Sequence, residues 1–198
     1  MTIDVFMKDI DEDFLDEIDE IMEDFMIDIF IVHINTKDEL DNIKIVANRL
    51  NPIFYATSIE LKDDTDKNCV GYIIKNTTSV QLIKEQDKAI FIDEKLLDEA
   101  MIKTLSETSN SGVILNATKE HNELENFYIS FGEKNILKFD TKILEKISMD
   151  KILLESGYRE FNFDSISNTV KIISDSMLRP EQSIIARATK NSLALFNF

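Results

Sequence analysis

Cysteine, proline, glycine and histidine are all scarce in this sequence. A single cysteine, Cys69, excludes an internal disulfide and any thiolate zinc cluster. Two prolines and four glycines exclude collagen-like and Pro-rich repeats, and with them glycine-rich phosphate loops. Basic residues are also few. Against 38 Asp and Glu stand only 22 Lys and Arg, a net charge of -16. A chain that acidic repels phosphate backbones and anionic lipid at long range, so nucleic acid is not expected as a partner. No basic patch interleaved with aromatics offsets this. No apolar run approaches the roughly 18 residues of a membrane-spanning helix, so no membrane association is expected. The start, Met1-Thr2-Ile3-Asp4-Val5-Phe6, has no basic segment ahead of an apolar run. No secretory signal is expected from it, and a cytoplasmic protein is. The two sequons, Asn76-Thr77-Thr78 and Asn116-Ala117-Thr118, carry no weight without secretion.

What is present is globular. In 198 residues, 43% are apolar and 30% charged, enough to bury a core without disulfide or metal. One domain over 1–198 is expected. Short β-branched or aromatic runs alternate with helical patterns. Residues 3–7, 27–34, 53–59, 113–115, 127–131 and 152–154 read as strands. Residues 12–26, 38–50, 93–106, 139–147, 165–177 and 180–196 read as helices, from apolar residues at a spacing of about 3.6. Pro180-Glu181 is favourable first-turn chemistry, with a preset φ and an anion at the positive helix end. The middle is least regular: apolar runs at 69–74, 80–83 and 89–92 have no evident helix between them. Strands separated by single helices predict βα units and a parallel sheet. A complete eight-unit barrel usually takes about 250 residues, so missing or trimmed units are expected.

Six segments add a second line of argument. They are Ile3-Asp4-Val5-Phe6-Met7-Lys8, Tyr55-Ala56-Thr57-Ser58-Ile59-Glu60, Gly112-Val113-Ile114-Leu115-Asn116, Phe127-Tyr128-Ile129-Ser130-Phe131-Gly132, 149–158 and 188–196. In this order they resemble the TatD-like metal-dependent hydrolases. The counterparts there read Ile-Asp-Thr-His-Cys-His, a strand ending Gly-Leu-His-Pro, Pro-Val-Ile-Ile-His, Phe-Tyr-Ile-Ser-Phe-Ser-Gly, Leu-Asp-Arg-Leu-Leu-Leu-Glu-Thr-Asp-Ser-Pro-Tyr and Thr-Thr-Glu-Asn-Ala-Arg-Arg-Leu-Phe. The resemblance spans most of the chain and is poorest over 62–95. It implies a shortened or incomplete TIM-type (β/α) barrel with mostly parallel strands. It also implies a site at the strand ends, where relatives hold one or two divalent metals that generate hydroxide and clamp a phosphodiester, the deoxyribonuclease chemistry of the better-known members.

The departures fall on the ligands. Phe6 and Lys8 replace the two first-strand histidines, Glu60 and Asn116 replace histidines at two later strand ends, and Gly157 replaces an aspartate. If 88–92 is the strand carrying a further ligand, Ile92 takes that place. The segment between 117 and 126 is too short for another histidine-bearing loop. A phenyl ring cannot ligate, and an ammonium repels a cation. The expected cofactor is therefore none, and the expected function is a catalytically inactive barrel that binds a protein partner or self-associates. Such docking would run through the acidic segment 9–28, which holds eleven acids and no Lys or Arg, or through an unsealed barrel side. The polar residues Asp4, Lys8, Glu60, Asn116 and Glu155 are expected near the strand ends, with Lys8 pairing Glu60 or Glu155. The alternative is a divergent metal-dependent phosphoesterase or nuclease using Asp4, Glu60 and Glu155 as oxygen ligands, and only that reading calls for a divalent metal.

Other features carry less. Asp9, Asp11, Asp13 and Glu20 match a calcium-loop spacing, but Phe14 stands where the template needs glycine. His33 lies in an apolar run and reads as a satisfied core histidine. His121 is expected to be exposed, Cys69 to pack as a small hydrophobe, and Asn191 to make a structural hydrogen bond.

Overall fold

A computed structural model describes residues 1–8, 12–48, 53–62, 65–79, 82, 87–157 and 164–198; for 12–17, 19 and 141 it describes the backbone alone. Eight strands appear in chain order. They are β1 (Ile3–Met7), β2 (Ile29–Ile34), β3 (Ile53–Ser58), β4 (Cys69–Ile74), β5 (Ala89–Asp93), β6 (Gly112–Leu115), β7 (Phe127–Phe131) and β8 (Ile152–Leu154). Each pairs in parallel with its neighbours, and β8 returns to β1 through the register Asp4↔Leu154. The result is a closed TIM-type (β/α) barrel.

The expected shortened TIM-type barrel with parallel strands is present, and of the two expected alternatives closure excludes the incomplete one with an unsealed side. No strand is lost; the connections are short instead. β3 leads to β4 through a 3-10 turn at Ile59–Leu61. Among the described residues no α-helix joins β4 to β5 or β6 to β7. Full-length helices remain as α1 (Glu12–Phe25), α2 (Lys37–Ala47), α6 (Asp164–Met177) and α7 (Glu181–Phe196). Between them, α3 (Glu99–Ser106) has two turns, and α4 (Glu133–Ile136) and α5 (Thr141–Leu144) have one each. The helix expected over 139–147 thus shrinks to α5, and that expected over 93–106 starts later, after a 3-10 turn at Glu94–Leu96. The run 80–83 and the helix stop at Pro52 lie outside the described residues, apart from Leu82.

Two apolar layers follow from strand alternation. Val5, Ile31, Ala56, Phe91, Val113 and Leu153 form the barrel interior. Phe30, Val32, Tyr55, Tyr72, Ile90, Ile92 and Leu154 face outward, onto helix residues such as Leu40, Ile43, Met101, Leu105, Val170 and Ile184. Local chemistry sets the helix starts. Thr36 and Glu39 form a capping box at α2, and Asp98 caps α3 through the Met101 amide at 2.8 Å. Met26 and Leu178, just past α1 and α6, take positive φ of 53° and 52° and leave large apolar side chains in solvent.

The end of α7 forms the barrel floor. Leu195 and Phe196 join the interior cluster, and Phe196 stacks on Phe91 with ring centres 5.8 Å apart. Thr189 donates to the Met1 carbonyl at 2.5 Å. Asn191 donates to the carbonyls of Met149 and Ile152, both at 2.8 Å. These bonds fasten the helix to the chain entering β1 and β8. Replacing Asn191 with alanine strands two enclosed carbonyls, and a loss of about 1–3 kcal/mol is expected. Urea denaturation of Asn191→Ala beside the parent reads it; equal midpoints would contradict this role.

Candidate functional site

The mouth of the barrel, at the C-terminal strand ends, carries three separate polar arrangements. The first surrounds the end of β1. Phe6 is buried and meets His33 of β2 edge-on, with ring centres 4.5 Å apart, while Phe91 of β5 meets the same imidazole at 4.6 Å. His33 Nε2 lies 3.1 Å from the Val5 carbonyl. A carbonyl only accepts, so Nε2 carries the proton. Burial pushes the imidazole pKa down to about 3, against the Val5 hydrogen bond and helped by the positive charge of Lys8. His33 is therefore neutral and clamped between rings. Lys8 places its Nζ 4.8 Å from the centre of the Phe6 ring. Among the described residues no ion pair joins Lys8 to Glu60 or Glu155, which corrects the expected pairing; the Lys8 charge acts on Glu155 only through space.

The second arrangement holds Asp4 and Glu155. Asp4 has no exposed surface. Its Oδ1 accepts from the amides of Phe6 (3.1 Å) and Ser156 (3.0 Å), and its Oδ2 accepts from the Ser156 hydroxyl. The Ser156 carbonyl in turn accepts from Ser165 of α6 at 2.7 Å. Glu155, 2% exposed, accepts from Ser130 of β7 at 2.5 Å. Gly132 leaves it room, since a Cβ there would come within 2.7 Å of Glu155 Cγ. Burial raises Asp4 to about 6, against the hydrogen bonds from Ser156 and Phe6. Burial likewise raises Glu155 to about 7, with Ser130 opposing, Asp4 adding, and Lys134 and Lys8 opposing. Gly157 follows with φ 68°, a left-handed turn that suits glycine.

Glu60 stands apart on the 3-10 turn after β3. It accepts from the hydroxyls of Ser58 and Ser79, the latter at 2.5 Å. Burial alone would raise its carboxyl, but these bonds, its own backbone and the Lys75 charge hold it below the ordinary value. Among the described residues no three His, Cys, Asp or Glu side chains group closely enough to hold a metal ion. Asp4, Glu60 and Glu155 thus do not form one ligand set. The divalent metals implied by the TatD-like resemblance do not fit these residues: Phe6 offers no lone pair, Lys8 is a cation, and both Asp4 oxygens are taken by donors. Of the calcium-loop residues, Asp9, Asp11 and the side chain of Asp13 lie outside the described residues.

The third arrangement was not expected. An open cleft of about 570 Å³ lies at the ends of β5, β6 and β7. Asn116, just past β6, takes a left-handed turn (φ 55°), which Asn tolerates. Its Nδ2 donates to Asp93 at 2.9 Å. Glu94 accepts from the Thr118 amide (2.9 Å) and hydroxyl (2.7 Å), and from His121 Nε2 (2.7 Å). Burial would raise Glu94, but the bonds from Thr118 and His121 outweigh it and lower the carboxyl. The His121 side chain is 3% exposed, so the exposed histidine expected from its polar neighbours is buried; Glu94 supplies the partner that makes this affordable. Ile92, expected at the mouth, packs outward against the helices, and Asp93 takes the mouth position instead. Sequence reasoning passed over Asp93 and Glu94 as part of a helix start. Their partners lie more than twenty residues away, at a distance no local pattern reveals. Cys69 is buried, with Sγ 3.6 Å from the Gly71 carbonyl.

No protein-family model matches the sequence, and no curated protein sequence does. Solved structures do match. A TatD homologue from Escherichia coli K12, YJJV, superposes with a TM-score of 0.73 at 14% identity, covering 100% of this chain and 98% of that one. A TatD family hydrolase from Entamoeba histolytica gives 0.72 at 11% identity, over 98% and 97%. A 2,6-dihydroxybenzoate decarboxylase from Rhizobium gives 0.65 at 11%, over 99% and 98%. The class of fold is thus the (β/α) barrel that these structures share. Within that class the chain has the TatD-like fold.

The buried carboxyls predict a pH dependence. Asp4 and Glu155 hold protons in the folded state up to about 6 and 7, whereas in the unfolded chain they release them near 3.8 and 4.5. Their contribution to stability is fully present below about 4 and is lost as pH rises through 6 to 7. His33 has the opposite sign: it favours folding above 6.5, and that support fades as pH falls. The variant Asp4→Asn/Glu155→Gln keeps His33 and isolates the pair. It is expected to exceed the parent in stability at pH 8 by about 2–3 kcal/mol per carboxyl at most, with the gap closing toward pH 4. Urea midpoints at pH 4.5, 6 and 8 measure it; a gap that does not change with pH would refute the assignment.

Proposed function

We propose that this chain is a catalytically inactive TatD-like barrel that works in the cytoplasm as a binding or protein-interaction module. One observation carries the reading. At the end of β1, where the resemblance puts two metal-ligating histidines, Phe6 is packed against His33 and Lys8 lies over Phe6. Hydroxide generation needs a Lewis acid to lower the pKa of bound water. The donors that would hold one are replaced or already engaged. Closure of the barrel removes a free sheet edge as the docking route. It leaves the acidic stretch 9–28 as the proposed contact for a basic protein surface, with eleven acids and no compensating Lys or Arg. A divergent metal-dependent phosphoesterase would need Asp4, Glu60 and Glu155 to share an ion, and their separate hydrogen-bond partners give that reading no support.

Calorimetric titration with manganese, magnesium and zinc, run beside hydrolysis of a chromogenic phosphodiester, tests the proposal. No saturable uptake and no turnover above the buffer blank are expected. Stoichiometric metal uptake accompanied by hydrolysis would overturn the inactive reading.

A further inference from the structure

Two helices end in the same unusual way. At the end of α1 the Ile27 amide donates back to the Met22 carbonyl at 3.2 Å, and at the end of α6 the Arg179 amide donates back to the Ser174 carbonyl at 3.1 Å. This closure puts the residue between in the left-handed region, a position that glycine fills most readily. Here Met26 and Leu178 fill it, at φ 53° and 52°. The two residues are 78% and 89% exposed. Each position therefore carries two local costs, a strained backbone and a large apolar group in water. Glycine would remove both.

Their surroundings separate the two. Met26 extends a side of α1 on which Met22 and Phe25 are half-buried, at the i, i+3, i+4 spacing of one helix face. Glu20, Glu23 and Asp24 are exposed on the same turns, and no ion pair among the described residues engages them. The stretch 9–28 adds further acids and no Lys or Arg. Met26 is thus an apolar anchor flanked by negative charge of one sign. Leu178 is followed directly by Arg179 and has no such one-signed surrounding. A field of this sign repels anionic lipid and nucleic acid. Its complement is a large apolar side chain carried between cations.

We propose that the C-terminal end of α1 docks a basic amphipathic segment of a protein partner, with Met26 as the anchor, Met22 and Phe25 beside it, and Glu20, Glu23 and Asp24 pairing the partner's Lys or Arg. The proposal rests on the reading of the barrel as an interaction module whose acidic stretch meets a basic surface. It adds the apolar contact and the kind of segment that supplies its other half. Docking buries the Met26 side chain and so recovers the free energy that its exposure withholds from the free protein.

Two synthetic peptides of equal charge test it, titrated into the full chain by calorimetry at about 0.15 M salt. One places Leu at helical spacing among Lys; the other replaces every Leu with Ser. The Leu/Lys peptide is expected to bind with a Kd below about 100 μM, and the Ser/Lys peptide about tenfold more weakly or worse. Met26→Gly keeps the left-handed turn. It is expected to raise the urea midpoint of the protein while weakening Leu/Lys binding about tenfold. Leu178→Gly is expected to raise the midpoint in the same way and to leave binding unchanged. No saturable binding, equal binding of the two peptides, no loss in Met26→Gly, or an equal loss in both variants overturns the proposal. Cosedimentation with phosphatidylserine vesicles would overturn it too, by making the face a lipid contact. Failure in any of these leaves the inactive barrel standing, because none of them involves metal or turnover. Metal uptake with hydrolysis in the earlier titration would remove that reading without touching this face.

Discussion

The meeting of β1 and β8 is the constraint on which everything else depends. β8 has only three residues, and its pairing with β1 rests on the single register Asp4↔Leu154. So short a seam gains little from ladder hydrogen bonds alone. The Asp4 carboxyl supplements it by accepting from Ser156, just beyond β8, while Asn191 of α7 ties the entry to the same strand. A barrel cannot be partly closed: if this junction opens, two edges and the interior apolar layer meet water. An acid with no solvent contact at this place is costly in itself. Its bonds to Ser156 and Phe6 make it a fastening.

The mouth shows one theme in three variants. Where a hydrolase of this architecture would aim its donors at a shared point, this chain aims them at one another. Asp4 serves Ser156, Glu155 serves Ser130, and Glu60 serves Ser58 and Ser79. His33 is enclosed by two phenyl rings. Each group is satisfied by short-range hydroxyl or amide chemistry, which keeps it fixed. Among the described residues the β5–β7 sector follows the same pattern at Asp93 and Glu94 and adds an open cleft.

Much of the fold could be read from the sequence, for identifiable reasons. Continuous β-branched runs such as 29–34 and the 3.6-residue spacing in α6 and α7 are strong local signals, and they placed most strands and the long helices within a few residues. Barrel closure was hidden, because length argued for missing units, whereas the connections contracted instead. The site divides the same way. Phe6, Lys8, Glu60, Asn116, Gly157, Asp4 and Glu155 could be marked at strand ends by resemblance. How Asp93 meets Asn116, or Glu94 meets His121, could not. Each pair joins side chains at and just past the ends of β5 and β6, more than twenty residues apart, and the parallel pairing of those strands brings them together. His121 illustrates the limit: its polar neighbours describe the loop, not the carboxylate waiting across it.

The shortened connections distribute rigidity unevenly around the barrel. Between β7 and β8 the cover consists of α4 and α5, one turn each, and both lean on α6 for support. A single turn has almost no cooperative strength of its own, so this quadrant is the natural place for sub-global opening. Glu155 lies directly beneath it, beside Gly132 at the start of α4. Breathing of that thin cover would give solvent protons a route to Glu155, an acid almost as enclosed as Asp4, and would tie its equilibration with the bulk to the backbone rather than to the carboxyl itself.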